Sequence, residues 1–245
     1  MKTSKISTMA VAALALLFCA GTTQAALTWT SATNEAFNST TWQGLSPGDT
    51  AIANFAIGST SSGTVVWGDT WTYAGGGPTT LGGITVTLSG LGSAFTGYYS
   101  GGTPVLNEGR YNSVTPSTTA MYITLSGFDP NKEYILQFLQ VDTRTNSPIP
   151  GRQGMMRELG TTNDSGIVVV GTANLDQTFG LIQGTFTGAS SVDVQPLLSA
   201  SGTPNWINGH INAIRVVEVI PEPASGLMLL GAVAGLGLLR KKIHG

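Results

Sequence analysis

Short runs of Thr, Val, Ile and aromatic residues, each cut off by glycine, constrain this chain more than any other feature. Gly82-Gly83, Gly90, Gly92, Gly97, Gly101-Gly102 and Gly127 fall between such runs instead of filling one tract. The chain holds 33 glycines in 245 residues, well above the usual share of about 7%. This is how many short strands joined by turns read. No long stretch between the two chain ends carries a 3.6-residue apolar period. Strands are expected at Leu27–Ser31, Ala51–Ile57, Thr64–Trp67, Ile84–Ser89, Met121–Ser126, Glu133–Val141, Ile167–Gly171, Thr178–Phe186, Val192–Leu198 and Ile211–Val219. Ten such strands in one domain predict an all-β, two-sheet sandwich of jelly-roll type. The glycines show no fixed period, which argues against a β-solenoid.

The segment Tyr122–Tyr134 predicts a hairpin. Gly127 ends its first strand, and Asp129-Pro130-Asn131 supplies turn chemistry, with proline pre-set for the first central position. The strand that follows, Glu133–Val141, is apolar on both faces and is expected to be central.

Both ends of the chain differ from the middle. Lys2 and Lys5 precede an apolar run from Met9 to Ala20, followed by small residues up to Ala25-Ala26. That run has the length of a signal-peptide core and is too short to cross a bilayer. Cleavage between Ala25 and Ala26 is expected, so residues 1–25 are the leader. The single cysteine, Cys19, lies within it, and the mature chain then offers no thiol chemistry.

Residues 220–245 form a tail. Pro221-Glu222-Pro223 leads into an uncharged stretch at about 224–239, closed by Arg240, Lys241 and Lys242. As a helix the stretch covers ~24 Å against a hydrocarbon core of ~30 Å, and snorkelling basic side chains shorten the gap. The basic cluster places residues 240–245 in the cytoplasm and the domain outside.

This arrangement resembles a PEP-CTERM sorting signal: a Pro-Glu-Pro triplet, a short membrane helix and a basic end. The chain departs from the pattern in carrying Ile243-His244-Gly245 beyond the basic run. The resemblance implies a Gram-negative-type bacterium, an exosortase-type processing enzyme as partner, and a link to extracellular polysaccharide. It implies an inner-membrane anchor with the domain in the periplasm before processing, then the cell surface or matrix. The paired prolines keep the triplet extended and accessible, because each fixes φ and lacks an N–H.

Residues 26–219 make up the exported domain. Six basic residues there face twelve acidic ones, and nothing basic clusters, which excludes a nucleic-acid footprint. Its one histidine, His210, reads as a polar residue in the turn Asn208-Gly209-His210. No Gly-x-Ser-x-Gly elbow accompanies it. A lone histidine without cysteine would leave carboxylates to supply the remaining ligands of a zinc site; Asp and Asn oxygens could hold a structural calcium, but no loop has its ligand spacing, and no cofactor is expected.

Asp142, Arg144, Arg152 and Arg157 form the densest polar group, read either as a ligand site or as a clamp tying a long 143–166 loop to the sheet. Trp67, Trp71, Tyr98 and Tyr99 sit in glycine-rich surroundings and are candidate platforms for pyranose rings. Core filling is the competing reading for the tryptophans.

A second resemblance spans the Tyr122–Tyr134 segment, Val141–Arg144, Gly151–Gln153 and Ile207–Ile214. Together these are similar to jelly-roll ectodomains of the galactose-binding-like and carbohydrate-binding-module kind. The expected function is that of an exported, non-enzymatic surface or matrix protein binding polysaccharide. The alternative is a secreted carbohydrate-active hydrolase using two carboxylates, drawn from Glu108, Glu133, Asp142, Glu158 and Asp164.

Overall fold

A computed structural model describes residues 26–36, 43, 50–58, 64–90, 94–96, 104–111, 121–141, 152–171, 178–199 and 206–220. The leader, the predicted membrane span at 224–239 and the Pro221–Pro223 triplet lie outside the described residues. No described helix is long and apolar enough to cross a membrane.

The strands run β1 Ala26–Ala36, β2 Thr50–Ala56, β3 Thr64–Val66, β4 Asp69–Tyr73, β5 Thr79–Leu81, β6 Ile84–Ser89 and β7 Ala94–Thr96. After the single helical turn α1, Pro104–Asn107, come β8 Glu108–Tyr111, β9 Tyr122–Ser126, β10 Glu133–Gln140, β11 Arg152–Glu158 and β12 Val168–Gly171. The last five are β13 Thr178–Thr187, β14 Ser191–Ser199, β15 Trp206–Asn208, β16 His210–Ile211 and β17 Ala213–Val219.

One sheet has the order β1-β13-β10-β17-β2-β4-β3. The other runs β12-β11-β14-β9-β6-β5, with β15 also on β14, and β16-β8-β7 form a small third sheet. Pairing is antiparallel except for the short β2–β4 contact. Alternation along each strand sends one set of side chains inward. Phe55, Leu136, Phe138, Ile182 and Val216 of the first sheet meet Val86, Ile123, Leu125, Met156 and Val194 of the second in one core. The two sheets therefore pack face to face as a β-sandwich.

The outer face of the first sheet is covered as well. Leu139, Phe179, Leu181 and Ala213 pack under Val66 and Trp71 of the β3–β4 hairpin and Val105 and Leu106 of α1. This is why Glu133–Val141 reads as apolar on both faces: along β10 one face meets the opposite sheet and the other meets this cover.

Two expectations are corrected. The Tyr122–Tyr134 segment is no hairpin, because β9 pairs with β6 and β14 while β10 pairs with β13 and β17. The turn chemistry is present: Lys132 N donates to Asp129 O (3.0 Å) and Asn131 N to the Asp129 side chain (2.9 Å). Phe128, however, inserts its ring against Tyr134 and Phe186, both at 4.8 Å, which carries the chain across the core. Gly127, at φ +95°, makes the required bend and donates to Ser190 O. The predicted 143–166 loop, in turn, contains β11. Gly154 and Met156 face the core from it, a signal too polar and glycine-interrupted to stand out in sequence.

Ala26 lies opposite Thr187, and Val219 opposite Glu133. The start of β1 and the end of β17 thus leave the same end of the sandwich, three strand positions apart in the order β1-β13-β10-β17. At ~4.8 Å per strand that is ~14 Å. The ends of β10, β14 and β1 and the beginnings of β11 and β13 lie at the other end.

Candidate functional site

Among the described residues, two places bring polar side chains together at the ends of the sandwich. At the end opposite the termini, Gln140, Arg152, Ser199, His210 and Asn212 are all buried. His210 Nε2 lies 2.6 Å from Val141 O. A carbonyl only accepts, so that nitrogen carries the proton and is committed as a donor. Gln140 Nε2 donates to His210 O (3.1 Å).

Asn212 stands between β16 and β17 and uses every polar group. Its Oδ1 accepts from Val141 N (2.7 Å) and its Nδ2 donates to Leu106 O (3.2 Å). Its backbone N donates to Leu139 O and its O accepts from Ile57 N. This network staples the end of β10 to β2, α1 and β16. The reading of His210 as a turn residue is therefore corrected. Gly209 presses on the backbone of Pro196 and Leu197, where an added Cβ would come within 2.7 Å, and this draws His210 into the interior.

The second place lies beside the termini. A depression of about 400 Å³ is lined by Pro130, Asn131, Lys132, Glu133, Thr187, Glu218, Val219 and Ile220. Lys132 Nζ donates to Glu218 Oε1 at 2.7 Å, and this bond holds the lysine pKa above its ordinary value.

Of the predicted polar group, only Arg152 and Arg157 are among the described residues. Asp142 and Arg144 lie outside the described residues, as do Tyr98 and Tyr99. Arg152 is buried at the start of β11, and Arg157 is half-buried five residues along it, ~16 Å away at strand rise. Arg157 grips Asp164 with two hydrogen bonds, Nε to Oδ1 (2.5 Å) and Nη2 to Oδ2 (2.7 Å). This pair closes the turn between β11 and β12. The Asp164 hydrogen bond also raises the Arg157 pKa.

Trp71 is fully buried, 0% exposed, and donates its indole N–H to Val66 O, so it presents no face to a sugar ring. Trp67 is half-buried, with its ring 5.8 Å from Trp71 and 5.7 Å from Phe179. It stands at φ +54° beside Gly68 at φ +85°, the left-handed pair of a two-residue hairpin turn. An aromatic side chain in that conformation is strained, and its packing on the cover holds it there.

Sequence reasoning missed Arg215, which is 2% exposed in the middle of β17. Its guanidinium reaches Asp69 Oδ2 (3.2 Å), Gln137 Oε1 (3.1 Å) and Gln43 O (3.2 Å). Burial pulls its pKa down, and the Asp69 carboxylate opposes that shift. The signal was a lone charge inside Ala213-Ile-Arg-Val-Val, a strand otherwise apolar on both faces. Among the described residues, no three His, Cys, Asp or Glu side chains come together as a metal-holding group.

No protein-family model matches the chain, and no curated protein matches it. Among solved structures, a Bacillus subtilis protein superposes at TM-score 0.36 with 13% identity, over 70% of this chain and 41% of its own. This chain therefore spans less than half of that protein. A carbohydrate-binding module from Cellvibrio mixtus lichenase 5A, solved with cellotriose, superposes at TM-score 0.25 with 13% identity. It matches over 52% of this chain and 98% of its own. Superpositions this loose carry no argument about function.

Proposed function

We propose that this chain is an exported, non-enzymatic surface or matrix protein. It displays a jelly-roll domain, residues 26–219, from a C-terminal sorting tail, residues 220–245. On this reading the leader is cut between Ala25 and Ala26. The stretch at 224–239 anchors the chain in the inner membrane until an exosortase-type enzyme acts near Pro221-Glu222-Pro223. The domain then binds extracellular polysaccharide.

The observation that carries the reading is the placement of both termini at one end of the sandwich, Ala26 beside Thr187 and Val219 beside Glu133. A leader in front and an anchor behind attach to the same end. The opposite end, where β10, β14 and β1 finish, then faces away from the membrane, and strand ends of this kind are where ligand-binding loops are carried. The jelly-roll assignment is supported by the crossing pattern: β9 to β10, β10 to β11, β12 to β13 and β13 to β14 each pass from one sheet to the other.

The test is a pulse-chase in the native host, following size and membrane association together. Pro221→Ala with Pro223→Ala restores two N–H donors and lets the helix extend backward; insertion survives and processing fails. Leu230→Arg places a charge near mid-helix at about 2.5–3.5 kcal/mol against insertion, and the chain is released unprocessed. Normal maturation of both variants overturns the sorting reading. Polysaccharide binding is tested separately, by screening the processed protein on a glycan array.

A further inference from the structure

The two outer faces of the sandwich differ. That of the first sheet lies under the β3–β4 hairpin and α1. In the second sheet Ile123, Leu125, Met156, Val194 and Leu198 point into the core, so strand alternation turns the residues between them outward. Along β9 and β14 these outward residues are half-buried or exposed from Ser126 and Ser191 up to Tyr122 and Gln195.

Tyr122 and Trp206 share this face. Ile123 lies opposite Val194, which puts Tyr122 at the level of Gln195, and Trp206 lies opposite Ser199. The two aromatic residues thus flank β14 on one side, four residues apart along it, ~13 Å at strand rise. Between their levels Leu197 lies opposite Met155 of β11, and both are buried, which gives the face an apolar floor. Tyr122 and Trp206 are half-buried. Among the described residues neither the Tyr122 hydroxyl nor the Trp206 indole N–H makes a hydrogen bond. Trp71, by contrast, spends its indole N–H on Val66 O. A ring face at the surface with an unspent polar tip suits a partner that presents C–H faces and hydroxyls together, as a pyranose does. Charge narrows the partner further. The cation on this face, among the described residues, is Arg157, and Asp164 already holds it with two hydrogen bonds. Asp193 adds an exposed carboxylate, which accepts from Thr124 Oγ1 at 2.5 Å. A uronate polymer would meet like charge here and no open counter-charge, whereas a neutral polymer pays no such cost.

We propose that the outer face of the second sheet, along β14 between Tyr122 and Trp206, binds a neutral polysaccharide chain. The two rings are the stacking platforms. The half-buried Gln195, and Gln153 opposite Ser199, supply side-chain amides to the sugar hydroxyls between them. This site rests on the polysaccharide-binding reading above and is independent of the sorting tail.

The test is native gel electrophoresis of the full chain, in a detergent without a sugar headgroup, through gels carrying galactomannan, hydroxyethylcellulose or alginate. A neutral polymer is expected to retard the protein equally at low and high salt, because no charge pair is screened. Tyr122→Ala and Trp206→Ala are each expected to weaken that retardation about ten-fold, the effect of losing an aromatic anchor. Each reads one platform, so a folding defect in one variant, seen by thermal unfolding, leaves the other to decide. Tyr122→Phe keeps the ring and is expected to retain most of the binding. Thr80→Ala is the control and is expected to change nothing, since Thr80 is exposed on the edge strand β5 of the same sheet. Retardation by a neutral polymer that both alanine variants leave unchanged, or retardation by alginate alone, overturns this site and leaves the polysaccharide reading standing. Retardation by none of the three polymers overturns both.

Discussion

The side-chain amide of Asn34 pairs with both backbone groups of Val169. Its Nδ2 donates to Val169 O, and its Oδ1 accepts from Val169 N at 3.1 Å. Asn34 sits on β1, the edge of one sheet, and Val169 on β12, the edge of the other. One side chain thus stands in for a neighbouring strand where the two sheets meet, using backbone groups that an open edge leaves available to other chains. Asn34→Ala removes both bonds from an exposed position and is expected to cost about 1–2 kcal/mol. Asn34→Asp turns the donor into a second acceptor facing Val169 O and should destabilise at least as much at neutral pH. Urea unfolding of the three proteins measures both differences.

Phe138 is fully buried between the sheets, with Trp29 edge-on at 6.1 Å. Truncation to alanine loses the transfer energy of the ring and leaves a cavity, for a total of about 3–5 kcal/mol. A loss below about 1 kcal/mol in denaturant unfolding would contradict this packing.

Two ion pairs in the same molecule should behave differently. Arg215 is 2% exposed and meets Asp69, whereas the side chains of Arg157 and Asp164 are each about a third exposed. Asp69→Ala leaves a guanidinium buried without its counter-charge, and the expected loss is about 2–4 kcal/mol, moderated because Asp69 itself is a quarter exposed. Asp164→Ala should cost under about 1 kcal/mol and should be sensitive to salt. Thermal unfolding at low and high salt separates the two cases.

Asp129 accepts a hydrogen bond from Asn131 N at 2.9 Å, and this backbone bond, ahead of the Asn131 side chain, lowers its pKa below the ordinary 3.8. A depressed carboxylate contributes stability above its unfolded pKa and loses it as pH falls through the lower, folded value. The contribution is therefore present above about pH 4 and fades below 3.8. Asp129→Asn keeps an acceptor for the turn and removes the titration. The difference in melting temperature between the two proteins should shrink between pH 5 and pH 2.5. A gap that stays constant would contradict the assignment.

That the domain is built of strands, and where several of them lie, is legible in local residue patterns. Ile84–Ser89 is read with its observed limits, and Glu133–Val141 is read as a central strand where β10 runs Glu133–Gln140, because runs of apolar and β-branched residues are a local property. Turn chemistry at Asp129-Pro130-Asn131 is equally local and is present. Where the chain goes after that turn depends on packing between distant residues. Phe128 packs on Tyr134 and Phe186, the latter 58 residues away, and so sends β10 into the other sheet. Distance in sequence hid the buried polar groups for the same reason. Arg215 finds its partners at Asp69 and Gln137, and His210 finds Val141, so nothing next to either residue announces that its charge or ring is satisfied inside. The separation of Arg152 from Arg157 follows from β11 itself: residues five apart in an extended strand stand far apart, however close they look in sequence.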